Sequence, residues 1–272
     1  TAATGIAFGK DDETLKVTLG TEAAEAGITT ITYATDDENS NVILNAGFTN
    51  TVTVNITDDE DNLDASAYTG TLTVNSAALA VAASNAITGG TGTNDTLLYT
   101  GTGLGGTISG ITAIEKFKVN SDANATLVLA NANVIAGQTL TIDATSITTA
   151  TNTFTADLTL EATATASIVV QGSAGVDTIT ISQVNDSIDT GAADDVVTMT
   201  GAYFTTDDTV DGGAGDDKIV AGADFTVSSG MFTNVSNFEI LEGTSNGTND
   251  FIITGTLGAD AASAGLTTIN FL

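Results

Sequence analysis

Apolar and polar residues alternate with a period of two through "NTVTVNITD" (50–58), "GTLTVNS" (70–76) and "DLTLEATA" (157–164). That period sends every second side chain to one face and predicts short, half-buried β-strands. Between these stretches lies punctuation rich in glycine, asparagine and aspartate. The chain contains no proline, so its turns fall to those three residues. Only "GTEAAEAG" (20–27) has helical composition, and it is a turn or two in length. The expected fold class is all-β.

The alternation sits inside repeats. Residues 172–198 divide into "GSAGVDTIT", "ISQVNDSID" and "TGAADDVVT"; after a gap at 199–202 come "YFTTDDTVD" and "GGAGDDKIV". Position six of these nonapeptides holds Asp177, Asp186, Asp195, Asp208 and Asp217. Position eight holds Ile179, Ile188, Val197, Val210 and Ile219. On a longer period, an acidic turn precedes an aromatic by 21 or 22 residues: Asp12 and Tyr33, Asp95 and Phe117, Asp217 and Phe238, Asp250 and Phe271. These aromatics read as core plugs. Segments 18–33 and 256–271 are identical at ten of sixteen positions, and "DASAYTGTLTVN" (64–75) is echoed within 143–161. Thr1 opens no signal-peptide pattern, so the chain reads as processed or as a window on a longer array. Stacked repeats of this kind predict an elongated parallel β-solenoid or β-roll. The expected division is a degenerate β-repeat region at 1–140 and a solenoid at 141–272 containing the nonapeptides of 172–220.

Charge narrows the function. Thirty-four acidic residues face five lysines and no arginine, a net charge of −29. Nucleic acid and anionic membranes require cationic patches, so neither is an expected partner. No apolar run reaches a membrane-spanning length, so no membrane insertion is expected. Cysteine and histidine are absent. Their absence removes disulfides, thiol nucleophiles, Ser–His–Asp triads and the commonest general base. Paired acids could serve a glycosidase, but such clefts draw on Trp, Arg or His, and none exists here. The expectation is a non-enzyme. Lys116 and Lys118 in "IEKFKV" read as guards against edge pairing. Self-repulsion at −29 needs neutralising, by salt or by bound divalent cations. A salt-adapted protein would disperse its acids, whereas these cluster with glycine, which favours cations.

"DGGAGDDKIV" (211–220) concentrates that chemistry. A phosphate cradle needs glycines that lead into a helix; here two carboxylates and strand-forming residues follow instead. For calcium, glycines free the backbone carbonyls and Asp217 supplies a hard oxygen. Ile219 is expected to be the only fully buried side chain of its turn. Residues 212–220 match every defined position of G-G-x-G-x-D-x-U-x, with U large and aliphatic, and over 172–220 the chain resembles the RTX family. Unit 172–180 has Ser173 for the second glycine, 190–198 keeps only Gly191, and 181–189 and 203–211 keep none. The resemblance implies a Ca²⁺-loaded β-roll. Asp177, Asp195 and Asp217 would be its carboxylate ligands, with Asp186 and Asp208 as further ones. Carbonyls of Gly172, Gly191, Gly212 and Gly213 would complete the sites, and Asp211 and Gly215 of the same turn are further candidate metal-site residues. The variant turns "GGTGTND" (89–95) and "NGTND" (246–250) add Asp95 and Asp250. The acidic turns "DDEN" (36–39) and "DDEDN" (58–62) read as ordinary solvent-facing turns. Thr-, Ala-, Gly- and Val-rich text around such turns looks like RTX-type bacterial surface-layer proteins. That likeness implies type I secretion, calcium-driven folding outside the cell, and self-assembly into a lattice or filament, with cell-surface polysaccharide as a further partner. The alternative is a calcium-stiffened stalk or binding region of a large adhesin.

Overall fold

A computed structural model describes residues 4–7, 16–33, 40–57, 61–77, 79, 86–163, 165–199, 203–222, 226–244, 252–253 and 257–271. Across these the chain winds into a parallel β-solenoid of about nine turns. One face is a single eleven-stranded sheet. Its strands, in spatial and chain order, are Gly5–Ala7, Thr30–Thr32, Val52–Ile56, Leu72–Ser76, Thr96–Tyr99, Lys116–Val119, Thr139–Asp143, Ser167–Ser173, Asn185–Gly191, Thr209–Asp211 and Val235–Ser236. The opposite face starts as five strands, Lys16–Leu19, Asn41–Leu44, Asn62–Asp64, Ile87–Thr88 and Ile111–Thr112. It resumes as seven: Ala125–Val128, Phe154–Asp157, Asp177–Thr180, Val196–Met199, Lys218–Ala221, Ile240–Gly243 and Thr268–Phe271. Thr226–Val227 pairs separately with Ile252–Ile253.

The core follows from register. On the long sheet Ile31, Val54, Val74, Leu97, Phe117, Ile142, Val170, Ile188, Val210 and Val235 stand directly above one another. All ten are buried. Parallel strands stack about 4.7–4.9 Å apart, so like residues meet and β-branched side chains interlock. Fully burying each aliphatic contributes roughly 1.5–3 kcal/mol. The step along this column varies, from 18 residues between Val170 and Ile188 to 28 between Ile142 and Val170. Coils of different length share one ladder because the excess leaves at the corners. Tyr33, Phe117 and Phe238 are buried in the core, while the side chain of Phe271 lies outside the described residues.

Three expectations need correcting. Lys116–Val119 is a central strand, hydrogen-bonded to Thr96–Tyr99 and to Thr139–Asp143, so its lysines guard no edge. They stand on the outer face and reach the Asp143 carboxylate at 2.7 Å and 3.4 Å. Burial alone would raise the Asp143 pKa, but Lys116 and Thr145 hold it down, to about 2. Second, the strand that carries Ile219 also buries Ala221, and Asp217 just before it is buried too. Third, "GTEAAEAG" is not alone: beside the helix Thr21–Glu25 there is a second, Ala259–Ser263, and a 3₁₀ turn, Ser229–Phe232. The second helix lies in the copy of 18–33, and the segment after each helix is held in the same way. Thr29 and Thr30 donate to the Thr4 carbonyl at 2.9 and 3.1 Å; Thr267 and Thr268 donate to that of Glu239 at 2.9 and 3.0 Å. The strand Thr139–Asp143 spans the 140/141 division. No helix among the described residues is long and apolar enough to cross a membrane.

Candidate cation site in a ladder of buried acids

One nonapeptide makes half a coil, so successive position-six acids alternate between the two corners. Asp177, Asp195 and Asp217 stack where the chain enters the second face; Asp186 and Asp208 stack where it enters the long sheet. At each corner a backbone N–H faces the next coil before strand pairing begins, and the next coil's carboxylate accepts it. Asp177 donates in this way to Asp195 Oδ1 at 2.7 Å, Asp195 to Asp217 Oδ1 at 2.8 Å, and Asp217 to Glu239 Oε2 at 2.8 Å. Across the solenoid Asp186 donates to Asp208 Oδ1 at 2.8 Å. The earlier turns repeat the device: Leu72 donates to Asp95, Asp95 to Glu115, and Ser40 to Asp61. An unpaired buried amide costs as much as a lost hydrogen bond, so this capping is a second physical reason for acids phased at the corners.

Burial is severe. Asp95, Asp177, Asp195 and Asp217 are 0 % exposed, Asp208 is 1 % and Asp186 is 2 %. Desolvation pushes Asp186 and Asp195 up to about 7 and Asp177 and Asp217 up to about 6, against the opposing pull of their hydrogen bonds. Asp208, Asp95 and Glu115 are raised by the same cause. Like charges add to it: Asp177 and Asp217 face Asp195, while Glu239, Asp194 and Asp211 face Asp217.

The glycines are where adjacent coils touch. A Cβ on Gly191 or Gly213 would overlap the carbonyl oxygen of Ser173 or Gly191, and φ there is +102° and +78°. Gly172 lies against the Thr190 carbonyl and the Asp177 carboxylate, and Gly215 against the Ala193 carbonyl. A Cβ on Gly212 would stand 2.9 Å from Asp217 Oδ2. Ala193 occupies the last glycine position of its unit with φ +95°, a conformation that favours glycine. Ala193→Gly should therefore raise stability by roughly 0.5–1 kcal/mol, read as a higher denaturant midpoint. A lower midpoint would mean that the corner does not need that dihedral.

The acids differ in whether their oxygens are satisfied. Asp177 and Asp186 accept hydrogen bonds at both oxygens, as does Asp208. Asp195 Oδ2 and Asp217 Oδ2 are buried and without a partner. The Thr190 hydroxyl lowers the Asp195 pKa, but its single proton is directed to the Gly212 carbonyl at 2.7 Å. The oxygen donors of these two coils include two bare carboxylate oxygens, a hydroxyl and peptide carbonyls, hard ligands of the kind Ca²⁺ takes. No three acidic side chains converge at metal distance among the described residues. The fit is therefore confined to the coils of Asp195 and Asp217, with Gly191, Gly212 and Gly213 beside them.

Other candidates fall elsewhere. Asp211 stands on the outer face in register with Asp189, accepting from Gly213 at 3.1 Å and Asn237 at 2.7 Å. Asp95 serves a distant corner, where Gly90 and Leu72 donate to its two oxygens at 2.5 and 3.1 Å. Asp250, "NGTND" and "DDEN" lie outside the described residues, as do residues 58–60 of "DDEDN"; its Asp61 is not solvent-facing as expected but buried, because it caps the Ser40 N–H of the preceding coil. Glu239 and Glu115 extend the ladders and were not anticipated. They follow Asp217 and Asp95 by 22 and 20 residues, a coil's length, so a search for any acid at the coil period would have found them. No protein-family model, curated protein or solved structure matches the chain.

Proposed function

We propose that this chain is a non-enzymatic structural solenoid of a secreted bacterial cell-surface protein, stabilised by Ca²⁺ at the Asp195 and Asp217 coils and assembling with itself. The observation that carries the reading is the pair of buried, unpartnered carboxylate oxygens in a chain of net charge −29. A buried charge without a partner is strongly destabilising, and a divalent cation bound only by the folded chain removes that penalty. Self-association needs a surface where two such anions can touch. The outer face of the long sheet supplies one, through the stacked pairs Thr30 and Thr32, Thr53 and Asn55, Thr73 and Asn75, and Thr96 and Leu98. None of these eight side chains is charged. Asn75 donates to Asn55 at 2.8 Å and Asn55 to Thr32 at 3.1 Å, which links three neighbouring strands along the strip.

The test is a calcium titration after chelation, followed by circular dichroism and negative-stain microscopy. Calcium at a hundred times its Kd should add about 2.7 kcal/mol to stability and yield regular sheets or fibres, while sodium at equal ionic strength should do neither. Full stability in chelator with no assembly would overturn the reading. Calcium-dependent stiffening of a monomer would favour the adhesin stalk.

A further inference from the structure

Two of the five phased acids keep a bare oxygen and three do not, and the difference traces to neighbouring side chains. In units 172–180 and 181–189 the second position is serine. Ser173 donates its N–H to Asp177 Oδ2 at 2.6 Å and its hydroxyl to Oδ1 at 2.5 Å. Ser182 repeats this on Asp186, at 2.8 Å to each oxygen. Each serine oxygen then accepts the backbone N–H two residues on, from Gly175 and from Val184, at 3.1 Å in both cases. In unit 203–211 Thr205, at the third position, donates N–H and hydroxyl to Asp208 Oδ2 at 2.7 and 3.3 Å. Asp195 and Asp217 lie in the units with glycine at position two, Gly191 and Gly213. There no hydroxyl clamps the carboxylate as those do: the Thr190 hydroxyl beside Asp195 is turned to the Gly212 carbonyl, and each Oδ2 stays bare.

We propose that in this solenoid a side-chain hydroxyl stands in for a cation: the coils of Asp177, Asp186 and Asp208 close without metal, and divalent-cation binding within 172–220 is restricted to the glycine coils of Asp195 and Asp217. The proposal rests on the cation reading above and sharpens it to named coils. The loss of the position-two glycine from three of the five units then coincides with the gain of a hydroxyl at position two or three. A carboxylate clamped at both oxygens by N–H and O–H donors has its hydrogen-bonding capacity met, and a cation would have to displace those donors. A carboxylate with one oxygen bare and buried has nothing to displace.

Calcium binding to the full chain, measured by equilibrium dialysis, tests this with isosteric variants. The double variant Asp195→Asn, Asp217→Asn should weaken binding at least a hundredfold or abolish it. Asp186→Asn should leave stoichiometry and affinity within twofold of wild type. Ser182→Gly, which recreates the glycine arrangement around Asp186, should unfold more readily in chelator and recover with calcium, with a calcium-induced rise in melting temperature larger than that of wild type. Melting in chelator separates a lost site from a variant that has failed to fold. A loss of bound calcium in Asp186→Asn comparable to that in the double variant would overturn the hydroxyl rule alone, as would a Ser182→Gly protein that calcium does not restore. A wild-type chain that binds no calcium would overturn the cation reading and this proposal together.

Discussion

Gly213→Ala is expected to destabilise the solenoid by about 3–5 kcal/mol, combining left-handed backbone strain with a steric clash. At Gly213 φ is +78°, and a Cβ would overlap the carbonyl of Gly191 one coil below. That carbonyl accepts the Ala214 N–H at 3.1 Å, so it cannot swing aside without breaking the stack. Gly137 is the control. Its φ is +79°, yet nothing lies within 4 Å of where its Cβ would stand. Gly137→Ala should therefore show the conformational part by itself, about 1–2 kcal/mol. The difference between the two denaturant midpoints reads out coil-on-coil contact. Equal midpoints would mean that the corners do not stack as described.

In chelator, stability should fall as pH rises from about 5 to 8. The folded-state pKa values of Asp186 and Asp195, about 7, and of Asp177 and Asp217, about 6, lie above the ordinary 3.8. Between 3.8 and about 7 the folded chain holds more protons than the unfolded one, so stability falls with rising pH. The favourable contribution is complete below 3.8 and gone once pH passes the folded value. For Asp186 alone it is on the order of 4 kcal/mol. Asp143, held at about 2 by its lysines, acts in the opposite sense, and its contribution disappears as pH falls through 3.8 towards 2. The optimum is thus expected near pH 4–5. General repulsion at −29 would produce a similar slope, but about 1 M NaCl shortens the screening length to roughly 3 Å and should leave the buried acids' share in place. Asp186→Asn should flatten the slope by about one proton. Equilibrium unfolding at a series of pH values decides it, and a flat or rising profile would remove the argument for buried, uncompensated acids.

The serine clamp exists only in the folded chain. In linear order Ser173 and Ser182 look like lapses from a glycine pattern. Once folded, each sits four residues before an aspartate that has lost its water, and the lapse becomes a hydrogen bond. Glu239 and Glu115 went unread for a related reason. They break the nine-residue phase but keep the coil period, and the coil period is set by corner lengths that local pattern does not encode.

Alternation of period two, in-phase aliphatics and the absence of proline were enough to determine an all-β solenoid. Strand faces and stacked repeats are local consequences of side-chain direction and backbone freedom, and a linear pattern records both. Which acids have their oxygens satisfied, which glycines meet a neighbouring carbonyl, and that the "IEKFKV" strand is central were decided only by the tertiary structure. The clamped oxygens depend on a fold that turns a hydroxyl three or four residues back onto each acid. The glycine contacts and the central strand depend on what the next coil, some twenty residues away, places beside the group. Desolvation and hydrogen-bond partnership are properties of that contact and belong to no residue alone.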